Sequence, residues 1–191
     1  MQGTFVQIAI FIINTLATLY VGAVLLRFLL QIVRADFYNP LSQLIVKVTN
    51  PLLKPLRKVI PGMGGFDIAA LVLAFIAQII FIWLIQLVAG GAVGLYGGLI
   101  FIWALLALLM LILGIYMISM FIVAIASFIA PYSSNFALLL MRQIIEPICV
   151  PVRKLIPPMG GFDFSFMAVA MGIYILRMLV MGVAHSYGIP L

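Results

Sequence analysis

P-L-L-K-P-L-R-K-V-I-P-G-M-G-G-F-D runs from Pro51 to Asp67, and P-I-C-V-P-V-R-K-L-I-P-P-M-G-G-F-D runs from Pro147 to Asp163. Residue 147 follows residue 51 by 96, and eleven of the seventeen aligned positions are identical. The shared positions are not just the apolar ones that any lipid-embedded chain matches by accident. They include Pro51/Pro147, Pro55/Pro151, Pro61/Pro157, Arg57/Arg153, Lys58/Lys154, Gly64/Gly160, Gly65/Gly161 and Asp67/Asp163. Self-similarity at one fixed period marks an internal duplication.

On either side of these stretches the chain is apolar almost throughout. It is 67% hydrophobic and 7% charged, against roughly 45–50% and about 25% in a soluble domain, so the solvent for most of it is lipid. About 20 apolar residues cross a bilayer core, and four runs meet that length, at about 4–33, 68–88, 99–130 and 164–184. The first begins at M-Q-G-T-F-V-Q, without the positive n-region of a secretory signal, and exceeds a signal core of about 7–15 residues; it is expected to be retained as a span. The expected fold is an all-α integral membrane protein. Its four transmembrane helices form two tandem parallel repeats, 1–98 and 99–191, each a span, an amphipathic element and a second span.

The amphipathic elements are expected at 40–60 and 135–156. In the first, Leu41, Leu44, Ile45, Val48, Leu52, Leu56, Val59 and Ile60 recur at helical spacing, with Gln43, Lys47, Lys54 and Lys58 on the other side. Asn39-Pro40 is a helix-start signal. Pro51 and Pro55 each remove a backbone donor, which predicts a break near Asn50, with Asn50 capping and Pro51 at the first position of a new helix, or else one bent helix. Pro61 and its glycines end the element; Asp67 and Asp163 are placed to cap the spans that follow, and Pro131 stops the third span.

The net charge of +6 does not point to nucleic acid here, because eight of the ten Lys and Arg residues lie from Arg34 to Lys154 in two connections. The N-terminus, the Ala89–Gly98 loop and the C-terminus carry none. Positive charge collects on the cytoplasmic side of a membrane, so both motifs are expected in the cytoplasm and both termini in the periplasm, with the repeats related by an axis along the membrane normal. One cysteine, Cys149, allows no internal disulfide, and with one His it supplies no ordinary zinc site; no metal or cofactor is expected.

The doubled P-x-x-x-P-x-R-K-x-I-P-x-M-G-G-F-D element, flanked by spans in this order, resembles the YggT (YlmG-like) family of integral membrane proteins. The resemblance covers essentially the whole chain. It implies a bacterial inner-membrane protein with plastid relatives, linked to cell division and osmotic tolerance, and in plastids to nucleoid distribution and cytochrome maturation. It implies no catalytic residues. The second copy departs from the first with Glu146 for Asn50 and Pro158 for Gly62.

Two sets of polar residues are candidates for function. Lys47, Lys54, Arg57 and Lys58, with Arg142, Arg153 and Lys154 in the second copy, are placed to bind anionic lipid headgroups or a partner; structurally, the Arg of each copy would hold the capping Asp or the loop carbonyls. Within the spans, Arg177, Gln78, Gln86 and Asn14 are the candidates for lining a pathway. Arg177 lies about 20 Å into the last span at 1.5 Å per residue and must reach carbonyls, Gln78 or Gln86, an anion or the outer headgroups. Arg27, about 10 Å from the end of its span, is expected to snorkel, and His185 to be interfacial. Ala168 and Gly172 are spaced for close helix packing. No nucleophile, base and orienting group can be assembled from these residues. The expected function is therefore a non-enzymatic, homo-oligomeric scaffold that presents basic amphipathic elements to lipid or to envelope and cell-division partners. The alternative is an oligomeric channel or transporter subunit acting in ion or osmotic stress.

Overall fold

In the computed structural model, which describes residues 3–62, 65–90, 97–129, 133–157 and 163–190, the regular elements are six helices. They are α1 (Thr4–Ile32), α2 (Pro40–Val59), α3 (Ile68–Val88), α4 (Leu99–Ile129), α5 (Phe136–Leu155) and α6 (Phe164–Ser186). Of these, α1, α3, α4 and α6 are long and apolar enough to cross a membrane, and the protein is a multi-pass helical membrane protein. Gly64, Gly160 and Gly161 of the motif, Pro131 and most of the Ala89–Gly98 loop lie outside the described residues.

The two short helices begin and end by the same chemistry. Asn39 Oδ1 accepts the Leu41 N–H at 2.9 Å ahead of Pro40 in the first helical position, and Asn135 Oδ1 accepts the Ala137 N–H at 2.9 Å. Each helix stops two residues before a proline, Pro61 or Pro157, because the residue preceding a proline is disfavoured in the helical region.

Of the two expected forms, the pair of short helices with a new start at Pro51 does not occur, and the single helix does. Although Pro51 and Pro55 lie inside it, α2 is one helix, and α5 likewise runs through Pro147 and Pro151. Asn50 caps nothing; its Oδ1 accepts from Arg27 of α1. Proline removes one hydrogen bond and crowds the preceding turn, and tertiary contacts hold that turn in place. The Thr49 hydroxyl donates to the Ile45 carbonyl at 2.7 Å, Arg27 Nη1 reaches the Val46 carbonyl at 3.4 Å, and Leu53 one turn on is fully buried.

The main core joins Val21, Val24, Leu25 and Phe28 of α1 to an alanine face of α3 formed by Ala69, Ala70, Ala74 and Ala77, closed by Leu53 from α2 and Leu140 and Ile144 from α5. Small residues let the α1 and α3 backbones approach, the usual basis of helix packing in lipid. A smaller cluster holds Met120, Ile145 and Cys149, so Cys149 is buried in protein and away from lipid. The repeats meet where α4 packs on α3 and α1, with Phe75 and Phe101 stacked at 6.4 Å, and where the Asn39 side-chain amide donates to the Phe136 carbonyl at 2.9 Å between α2 and α5. Among the described residues α6 packs on α4 and α5 alone, and the Gly172 side of the Ala168/Gly172 pair is exposed with no described residue near it.

Truncating Leu53 to Ala should destabilise the detergent-solubilised protein by about 2–5 kcal/mol. The adjacent exposed Leu52→Ala should change stability by less than about 0.5 kcal/mol. Reversible unfolding followed by circular dichroism checks both; equal effects would mean that α2 is not anchored through this face.

Candidate functional site

Each even-numbered span begins with an aspartate that works in two directions. Asp67 Oδ1 accepts the Ala70 N–H at 3.2 Å, capping α3, while both its oxygens take hydrogen bonds from Arg57 on α2, Nε at 3.4 Å and Nη2 on Oδ2. Asp163 Oδ1 accepts the Phe166 N–H at 3.2 Å and the Ser165 hydroxyl, capping α6, while its Oδ2 takes Arg153 Nε at 2.8 Å. The result is a clamp ten residues long that fastens the end of a short helix to the start of the next span. Gly65, between the two partners in the first repeat, has φ +86, where a Cβ is unfavourable, and its carbonyl accepts from Gln31 of α1 at 3.3 Å.

The two clamps stand in different surroundings. Asp67 is 3% exposed and Asp163 31%, so the first carboxylate is shielded and the second is wet, while both arginines reach solvent to a similar extent. Arg153 also gives Nη1 to Glu146 Oε1 at 2.8 Å. Burial pushes the Asp163 carboxyl up, but hydrogen bonds from Ser165, Arg153 and the Phe166 N–H outweigh it and hold the group below the ordinary carboxylate range. Burial of Arg153 is likewise outweighed by Asp163 and Glu146, which raise it. The Cys149 thiol is pushed up chiefly by burial, which leaves it a packing residue with little thiolate.

Arg27 is the residue that the sequence misplaced. It does not snorkel. It is 5% exposed, and its Nη1 donates to Thr49 Oγ1 at 2.6 Å and Asn50 Oδ1 at 2.9 Å, binding α1 to the turn of α2 that precedes Pro51. The signal available in the sequence was the pairing of a span arginine with T-N-P in the following element. An Asn before Pro is equally well placed to cap a helix, so sequence alone does not separate the two roles.

Of the basic residues, Lys47, Lys54, Lys58 and Lys154 are exposed, whereas Arg57 and Arg153 are occupied by the clamps and Arg142 is half-buried. The intramembrane polar residues are not gathered into one place. Arg177 is half-buried, its guanidinium over the bare backbone of Gly114 in α4, where a Cβ would lie 3.7 Å from Nη1. Among the described residues α6 does not pack against α3 or α1, which sets Arg177 on a different helix pair from Gln78, Gln86 and Asn14, and Asn14 is exposed on α1. Gln78 Oε1, both amide atoms of Gln86 and the Tyr20 hydroxyl are buried without a hydrogen-bond partner among the described residues. His185 is exposed at the end of α6. Among the described residues no three His, Cys, Asp or Glu side chains are grouped as metal ligands would be.

Helix–clamp–span built twice defines a class of membrane protein with internal repeats. The family model CCB3/YggT matches residues 6–88 and again 90–184, one match to each copy. The chain belongs to the CCB3/YggT family. It is 45% identical over 183 residues to an uncharacterized protein of Pseudomonas aeruginosa, covering 95% of this chain and 93% of that one. To the Escherichia coli (strain K12) protein named uncharacterized protein YggT it is 37% identical over 179 residues, 93% of this chain and 92% of that one. An uncharacterized Haemophilus influenzae protein is 31% identical over 166 residues, 85% of each. No solved structure matches.

Arg57→Ala leaves a shielded carboxylate without its counter-ion, but the guanidinium is 38% exposed, so solvent screening holds the cost to about 1–2 kcal/mol, below the range for breaking a fully buried pair. Arg153→Ala, at a wetter site, should cost about 1 kcal/mol or less. Because the native Asp163 value is lowered, its contribution is complete above the unfolded value of about 3.9 and is lost as pH falls through the native value. Asp163→Asn should therefore lower stability at neutral pH and make the acid limb of the stability–pH curve shallower, as measured by thermal unfolding in detergent.

Proposed function

We propose that the protein is a non-enzymatic scaffold of the bacterial inner membrane, with α2 and α5 lying on the cytoplasmic leaflet and both termini in the periplasm. The two helices hold anionic lipid and present a basic surface to envelope or cell-division partners, and the working unit is a homo-oligomer. The observation that carries the reading is the composition of one exposed surface. On α2, Lys47, Lys54 and Lys58 are exposed beside exposed Leu44, Val48, Leu52 and Val59, a mixture suited to the boundary between headgroups and acyl chains. Each Lys beside an anionic leaflet gains about 1 kcal/mol, and the clamps keep the ribbon from swinging away. A homo-oligomer is favoured by α6, which leaves Arg177 half-buried with no ion pair among the described residues, an arrangement that a neighbouring copy would relieve.

The second reading, an oligomeric channel or transporter subunit acting in osmotic stress, rests on Gln78, Gln86 and Tyr20. Buried polar atoms without partners are costly inside a membrane, and water or an ion would be stabilised beside each of them.

Replacing Lys47, Lys54, Lys58 and Lys154 together with Gln should lower the phosphatidylglycerol content of polymer-excised native nanodiscs at least twofold, as read by lipid mass spectrometry. Unchanged lipid content would remove the scaffold's anchoring surface. Wild-type proteoliposomes should show background ion leakage; leakage above background that Gln78→Leu alters would decide for the transport reading. A periplasmic reporter active after Pro61 would reverse the orientation.

A further inference from the structure

The two repeats differ most where Arg27 sits. At an offset of 96 residues, Arg27 corresponds to Val123, and its three partners Val46, Thr49 and Asn50 correspond to Arg142, Ile145 and Glu146. In the first repeat the arginine fills the space between α1 and α2. In the second, all four substituted positions line an open cavity of about 570 Å³ between α4, α5 and α6, within the volume of about 300–1,000 Å³ usual for small-ligand sites. The backbone arrangement is repeated, but the arginine contributed by the span in the first repeat is replaced by Val123, and the second repeat carries Arg142 on its short helix where the first has Val46. Where neutral Asn50 received that cation, the second repeat has a carboxylate.

We propose that this cavity binds the headgroup of a zwitterionic aminophospholipid, its primary ammonium on Glu146 and its phosphate on Arg142. Glu146 has one oxygen engaged by Arg153 and is otherwise open, with 52% of its side chain exposed; a carboxylate has capacity for several more donors. Arg142 makes no ion pair among the described residues. The two stand at i and i+4 on α5, about 5–6 Å apart at Cβ, a spacing that suits a phosphate and an ammonium joined by two carbons. The lining carries Arg142, Arg153, Glu146 and Asp163, whose formal charges cancel, so a neutral zwitterion is matched better than a net anion. Apart from Ser127, whose hydroxyl donates to the Ala124 carbonyl at 2.6 Å, the remaining wall is apolar, with Phe128 from the end of α4 and Phe164 and Met167 from the start of α6, and would take the glycerol and the first methylenes of a chain. Those walls favour a lipid over a free headgroup. The site differs from the exposed lysine surface of α2, since it selects by headgroup chemistry, which a smeared positive charge does not.

The test is native mass spectrometry of the delipidated full chain in detergent, titrated with dioleoyl phosphatidylethanolamine, phosphatidylcholine and phosphatidylglycerol. One phosphatidylethanolamine should bind saturably, at least tenfold tighter than phosphatidylcholine, which lacks ammonium N–H groups, or phosphatidylglycerol, which lacks the cation. Val123→Arg supplies in the second repeat the side chain that Arg27 supplies in the first, and should weaken binding at least tenfold by occupying the cavity. Glu146→Gln, on an exposed side chain that leaves the core intact, should do the same and keeps the test available if Val123→Arg does not fold. Equal binding of the three lipids, or phosphatidylethanolamine binding unchanged in a folded variant of either kind, would overturn the proposal. Displacement of the lipid by an equal concentration of glycerophosphoethanolamine would overturn the assignment to a lipid.

Discussion

A carboxylate at the first turn of each even span answers two demands at once. The first N–H groups of a helix have no partners within it, and next to a membrane they have little water to turn to. Asp67 and Asp163 supply an acceptor, and the negative charge sits favourably at the positive end of the helix. That same charge needs a counter-ion, and the arginine ten residues earlier provides it. One residue pair thus fixes where a span begins and how the preceding surface helix leaves it. Removing either member exposes the cost that the other was offsetting.

The duplication shows how far one backbone pattern can diverge. The short helices recur at the same offset of 96, α2 and α5 each 20 residues long and both opened by an asparagine cap, and the spans recur to within two residues. Yet α3 is enclosed by α1, α2 and α4, while α6 has neighbours on α4 and α5 alone. The first repeat has spent its polar residues on internal cohesion: Arg27 on α2, and Arg57 on a carboxylate that is 3% exposed. In the second, the corresponding space is open, the carboxylate is ten times more exposed, and Arg153 bridges two acids instead of serving one. Both copies keep accessible charge, the first as the lysines Lys47, Lys54 and Lys58 along α2 and the second as a carboxylate and a guanidinium, Glu146 and Arg142, facing one open cavity.

Composition and period alone determined that the chain is an all-helical membrane protein, where its six helices lie to within a few residues, and that Asp67 and Asp163 cap spans, because these follow from local rules: the length of an apolar run, the missing donor of proline, the reach of a short carboxylate. Only the tertiary structure decided the rest. The helices run through Pro51 and Pro147 because neighbouring helices bury the far side of those turns, and Arg27 turns inward because Thr49 and Asn50 lie within its reach. The separation of Arg177 from Gln78 and Gln86, and the difference between a filled space in one repeat and an open one in the other, depend on which helix lies beside which. Apolar periodicity cannot encode that choice, since in lipid one greasy face resembles another, and the selection is made by small-residue packing and a few polar contacts between segments distant in sequence.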